Sequence, residues 1–134
     1  MKKLLLLLAL FSSLVLAHSK PVKIVPANGS SVSAPKTVSI EFDDGIEASF
    51  STFKVYAYTG EVNNGAIRAF ARAKLPLKND LSARADTGNT AKGNTKKVSI
   101  NLKPKLAKGV YVVMWRILGS DTHSVDSWSF FRVK

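Results

Sequence analysis

Thr37-Val38-Ser39-Ile40-Glu41-Phe42 carries an apolar side chain at every second position and a polar one between, the period of a strand with one buried and one wet face. Residues two apart in a strand point to the same side, so Val38, Ile40 and Phe42 would face a core together. Four further runs share this enrichment in β-branched and aromatic residues: 53–58, 98–102, 110–118 and 128–133. Turn formers separate them, among them Pro26-Ala27-Asn28-Gly29-Ser30, Asn63-Asn64-Gly65 and Lys108-Gly109. Several short strands, polar turns and no long amphipathic helix predict an all-β chain, an antiparallel β-sandwich with Greek-key connections.

Upstream of these strands, Met1-Lys2-Lys3, a leucine run from Leu4 and then Val15-Leu16-Ala17 follow the order of a secretion leader: charged segment, apolar segment, small residue before the cut. The apolar run over 4–17 has 14 residues, whereas a membrane span takes about 20. The expected organisation is a signal peptide over 1–17, removed on export to the periplasm, and one domain over 18–134. That domain of 117 residues is long enough for a core of its own.

The chain has no cysteine, which excludes disulfides, thiolate chemistry and a lipid-modified cysteine anchor, so the fold must hold by packing alone. Its formal charge is +11, or +9 without Lys2 and Lys3, which favours acidic partners such as anionic headgroups, acidic polysaccharide or an acidic protein face. Nucleic acid is not expected as a partner of an exported chain. Much of the charge falls in 68–97, where eight Lys and Arg oppose Asp80 and Asp86. About 66–97 therefore reads as a basic, loop-rich insertion. Its Gly/Asn/Thr-rich second half, 87–95, reads as a mobile loop, either a solvated surface or a docking face for an acidic partner. Within it, Ile67, Phe70 and Ala71 fit helical spacing while Phe70 also alternates with Arg68 and Arg72, so 66–77 suits a helix or a strand.

The chain has two histidines. His18 follows the leader, and His123 ends Ser120-Asp121-Thr122-His123. Cleavage after Ala17 would make His18 the N-terminus, offering a metal both an α-amine and an imidazole from one residue. Asp121 and His123, two apart, would present a carboxylate and an imidazole from one face of an extended segment. Three nitrogens and one oxygen suit the tetragonal preference of Cu(II), with zinc a competitor for the same donors. Taken singly, His18 reads as a frayed terminus, Asp121 as a turn residue and His123 as a packed or exposed ring; it is their combination that points to a metal.

The run Gly109-Val110-Tyr111-Val112-Val113-Met114-Trp115-Arg116, then Ser120-Asp121-Thr122-His123 and finally Phe130-Phe131-Arg132-Val133, resembles the C-terminal signature of the CopC family of periplasmic copper-binding proteins. The start is similar to that family as well: His18 after Ala17, Val25-Pro26-Ala27-Asn28-Gly29, then 38–43. The resemblance leaves about 46–96 unmatched. It implies a cupredoxin-like or immunoglobulin-like sandwich, a single Cu(II) held by His18, Asp121 and His123, a carrier or buffer role in copper homeostasis and resistance, and no catalysis. It also implies an inner-membrane partner of the CopD type; the chain itself is expected to be a monomer. An acidic residue after the first strand reaches the site in some members. That position is Asp44 here, which reads either as a residue that would orient the His18 ring through a hydrogen bond or as a turn aspartate beside Asp43 and Gly45. The methionine-rich Cu(I) loop of some members is missing: beyond the leader the one methionine is Met114, which reads as core, as do Trp115, Trp128 and Phe130. Arg116 reads as an edge residue paired to a carboxylate. The glycine and proline usual after the histidine are replaced by Ser124, Val125 and Asp126.

Two other functions fit parts of the pattern. A copper oxidative enzyme with an N-terminal histidine brace needs an open coordination position for oxygen, which an Asp121 carboxylate in the copper plane would fill. A metal-independent immunoglobulin-like interaction module would use the basic loop alone.

Overall fold

A computed structural model describes residues 18–134, and the expected leader over 1–17 lies outside the described residues. The strands are β1 (Pro21–Val25), β2 (Ser31–Val32), β3 (Thr37–Glu47), β4 (Thr52–Tyr58), β5 (Asp86–Asn89), β6 (Asn94–Leu102), β7 (Gly109–Leu118) and β8 (Ser124–Val133), with one helix, α1 (Asn64–Lys74). They form two four-stranded sheets of order β1-β3-β6-β5 and β2-β8-β7-β4. Pairing is antiparallel except for the two-residue parallel match of β2 with β8. The Ala85 N–H donates to the Val55 carbonyl just before β5, so β4, β5 and β6 succeed one another around one side and β6 returns beside β3. This is the Greek-key order.

The alternation read in β3 holds: Val38, Ile40 and Phe42 are buried with Val98 and Ile100 of β6 against Val113, Trp115, Ile117 and Phe131 of the facing sheet. Trp115 is therefore core, and Arg116, one position on, points outward and grips Asp126 of β8 through two bonds of 2.7 and 2.8 Å.

A second apolar layer lies outside the sandwich. The undecided segment over 66–77 begins with a helix: the Asn63 side chain accepts from the Ala66 N–H and caps α1, Arg72 and Lys74 sit favourably in its last turn, and Pro76 follows its end. Ile67, Ala71 and Leu75 pack on Tyr56, Tyr58, Val112 and Met114, the outward side chains of β4 and β7. Met114 is buried here, under the helix. Trp128 and Phe130 join this layer half-buried, because on β8 it is Phe131 and Val133 that turn into the sandwich. The expected mobile loop over 87–95 is a hairpin instead, with β5 pairing β6 from Asp86↔Leu102 to Asn89↔Ile100 and positive φ at Gly88 and Gly93 letting the chain bend. Gly, Asn and Thr there serve turn geometry and an edge strand.

Candidate metal centre

β3 contains the device that assembles the site. Its register with β6 runs regularly to Glu41↔Lys97 and resumes at Ile46↔Thr95, so Asp43, Asp44 and Gly45 bulge out of the ladder. The chain before β1 is tied to this bulge. Asp43 and Lys20 exchange backbone and side-chain bonds, Lys20 N–H to Asp43 Oδ1 at 2.8 Å and Asp43 N–H to the Lys20 carbonyl at 2.9 Å. The Gly45 carbonyl accepts from Ser19 Oγ at 3.1 Å and from Ser120 Oγ at 3.0 Å. One carbonyl thus joins the residue after His18 to the residue before Asp121.

The β7–β8 turn supplies the other half. Gly119 N–H donates to the His123 carbonyl and Thr122 N–H to the Gly119 carbonyl, both at 3.0 Å, closing a tight hairpin with Thr122 at φ 67°. A β-branched residue with that φ is rare and is held only where its surroundings insist. Asn94 braces the turn, its Nδ2 donating to Ser120 Oγ and Glu47 Oε1, both at 3.0 Å.

Between these supports the three expected residues converge. Asp121 Oδ2 lies 3.3 Å from His18 Nδ1 and 3.4 Å from His123 Nδ1, and the two rings meet edge to face with centroids 5.3 Å apart. One donor atom from each residue falls within 4.8 Å of the others, a group small enough to share an ion. The histidine side chains are 45% and 50% exposed, and Asp121 17%. Asp121 Oδ1 accepts the His123 N–H at 3.1 Å, while Oδ2 is shielded from solvent and accepts no hydrogen bond. The His123 N–H holds this carboxyl below the ordinary carboxylate range, against the opposing pull of burial and with help from the neighbouring imidazoles. An ionised oxygen without a hydrogen, facing two imidazole nitrogens, is the arrangement a cation would complete.

Asp44 is not in this group. It is exposed, and its Oδ1 accepts from the N–H of Gly45. The acidic residue that ties down the segment after His18 is its neighbour Asp43, bonded to Lys20, a contact no sequence spacing announces because it depends on the bulge. Ser19, Gly45, Asn94 and Ser120 were likewise silent in the sequence.

Gly119 makes a test of how tightly the carboxylate is set. A Cβ there would come within 2.8 Å of Asp121 Oδ1. Gly119→Ala is therefore expected to turn the carboxylate and weaken metal binding about tenfold, the scale of a lost supporting contact, with little change in thermal stability; metal titration beside a melting curve checks it.

The CopC domain family model matches residues 21–134. Copper resistance protein C of Pseudomonas syringae pv. tomato is 29% identical over 125 residues, covering 93% of this chain and 87% of that protein. The copper transport protein CutJ of Bacillus subtilis (strain 168) is 31% identical over 126 residues, 92% of this chain but 19% of that longer protein. Among solved structures, CopC from Methylosinus trichosporium OB3b aligns with TM-score 0.63 at 25% identity, covering 87% of this chain and 94% of that one. PcoC, a methionine-rich copper resistance protein from Escherichia coli, aligns with TM-score 0.63 at 25% identity over 88% of this chain and 100% of its own. This chain has only Met1 and Met114. With the model spanning both sheets and the solved relatives sharing the sandwich, the chain belongs to the CopC domain family.

Proposed function

We propose that the protein binds copper in the service of copper resistance, holding one Cu(II) through the α-amine and imidazole of His18, the Asp121 carboxylate and the His123 imidazole. The observation that carries this reading is Asp121 Oδ2, shielded, unpartnered and set between two imidazoles. Support also comes from the relatives described above, a copper resistance protein and a copper transport protein. The α-amine depends on removal of the leader after Ala17, which export to the periplasm would bring about. Nitrogen and carboxylate donors without a second methionine favour Cu(II) over the softer Cu(I). The exposed imidazoles suit a carrier or buffer, from which a partner such as a CopD-type membrane transporter can take the ion, and no catalytic step is needed. A carboxylate from Asp121 among the ligands would take up a position that an oxygen-activating enzyme needs open, which argues against that reading.

Titration of the chain beginning at His18 should reach a single Cu(II) per chain as a monomer. Affinity should fall steadily as the medium is acidified, because protons compete for the amine, both imidazoles and the carboxylate. A stoichiometry of zero, or binding indifferent to acid, would remove the reading.

A further inference from the structure

We propose that the end of the sandwich opposite the metal group seats the domain on an anionic phospholipid surface. A groove of about 580 Å³ opens there, with Leu102, Leu106 and Val133 among its apolar lining. Five lysines also line it, Lys36, Lys103, Lys105, Lys108 and Lys134, and no acidic side chain does. Lys103 is engaged, its Nζ donating to the Leu81 and Ser82 carbonyls at 3.2 and 3.1 Å. The other four are exposed and make no ion pair among the described residues.

The groove is built rather than incidental. Leu102 N–H donates to the Lys36 carbonyl at 2.9 Å and Lys134 N–H to the Val32 carbonyl at 3.0 Å, which fixes one wall. Tyr111 Oη donates to the Ala107 carbonyl at 2.7 Å and fixes the other. Ala34 and Lys105, both lining it, take φ of 43° and 57°, a conformation that non-glycine residues adopt only where the surroundings impose it.

Charge complementarity selects the occupant. An apolar floor inside a lysine rim matches the chemistry of an anionic lipid, with phosphate on the ammonium groups and the start of an acyl chain on Leu102 and Leu106. The acidic residues Asp43, Asp44, Glu47 and Asp121 gather at the other end, where they offset Lys20, Lys96 and Lys97, so the lysine groove carries the more uncompensated positive charge of the two ends. β7 runs from the groove at Gly109 to the metal turn after Leu118, ten residues or about 30 Å. Seated this way, the protein presents the metal group to the aqueous phase, away from the lipid.

The test is sedimentation of the chain over 18–134, which contains both sheets and both apolar layers, with vesicles of phosphatidylglycerol or of phosphatidylcholine. Partitioning onto phosphatidylglycerol should dominate and fall steeply with added salt. Lys105→Gln with Lys108→Gln should lower it about 25-fold, roughly fivefold for each lysine, while copper titration of that double variant stays unchanged. Equal partitioning onto both vesicles would overturn the proposal. So would a loss produced by Arg68→Gln with Arg72→Gln on α1 but not by the lysine pair, and so would capture of soluble short-chain phosphatidylglycerol without binding to vesicles. Vesicle and copper readouts are independent, so failure of either leaves the other standing.

Discussion

Replacing Asp80 with alanine is expected to lower the unfolding free energy by about 3–5 kcal/mol, the cost of leaving one partner of a buried ion pair alone. Lys54 lies on the outward face of β4, yet it is only 3% exposed, because the chain after α1 covers it. Its Nζ donates to the Lys74 and Leu77 carbonyls at 3.0 and 2.7 Å and to Asp80 Oδ2 at 2.7 Å. The Tyr56 hydroxyl donates to the same oxygen, and Arg84 stands 3.6 Å from the other. Without Asp80 the ammonium keeps two carbonyls and loses its counter-charge. Urea unfolding measures the effect. Replacing both partners, Lys54→Met with Asp80→Asn, should recover much of the loss, since no charge is then stranded. A loss below about 1 kcal/mol in Asp80→Ala would mean that the pair is effectively solvated.

The same pair sets the response to acid. Burial alone would raise the Asp80 carboxyl, but hydrogen bonds from Lys54 and Tyr56 and the Lys54 charge outweigh it and hold the pKa at about 2. A carboxyl depressed in the fold contributes stability that is fully present above its unfolded value near 3.8 and lost as pH falls toward 2. Burial and the Asp80 bond push the Tyr56 hydroxyl above its ordinary range, so it remains a donor through neutral and mildly alkaline pH. The acid limb of unfolding should therefore flatten in Asp80→Asn. Copper affinity at neutral pH should stay the same, because the metal group rests on the β3 bulge and the β7–β8 turn.

His18→Ala and His123→Ala should each reduce Cu(II) affinity by more than about 100-fold, beyond the range associated with supporting residues. The two should also differ. His123→Ala leaves the amine–imidazole chelate and Asp121, so a weak site persists; His18→Ala keeps the α-amine of residue 18 but loses the chelate ring, leaving an amine, a carboxylate and one imidazole as separate donors. Both residues are about half exposed and support no core, so unfolding midpoints without metal should stay close to that of the unsubstituted chain.

How far the sequence reveals this molecule depends on the scale of the interaction concerned. The alternation in 37–42 and the aromatic, β-branched run over 110–118 are local periodicities, and they become β3 and β7 as expected. His18, Asp121 and His123 were legible because histidine is scarce and the family resemblance fixes both ends of the domain. Lys54 was not, since a lysine at an outward strand position reads as solvated until α1 and the following turn cover it. Whether 66–77 forms a helix was undecidable from Ile67 and Phe70 alone; the Asn63 cap and the apolar outer face of β4 and β7 decide it. Asp44 was singled out through the resemblance and sits as a turn aspartate on the Gly45 N–H, whereas the tie from Asp43 to Lys20 depends on a bulge that residue counting does not register. The convergence of His18, Asp121 and His123 comes from long-range hydrogen bonds through Gly45, and such bonds leave no periodic trace.

The freed amine of His18 and the imidazoles of His18 and His123 are expected to share one Cu(II) with Asp121. The most direct test is the electron paramagnetic resonance spectrum of the copper-loaded chain beginning at His18, recorded beside the same chain acetylated at its amine. A single axial Cu(II) species with three coordinated nitrogens, losing one nitrogen and most of its affinity on acetylation, is the expected result. An identical spectrum and affinity after acetylation would contradict it.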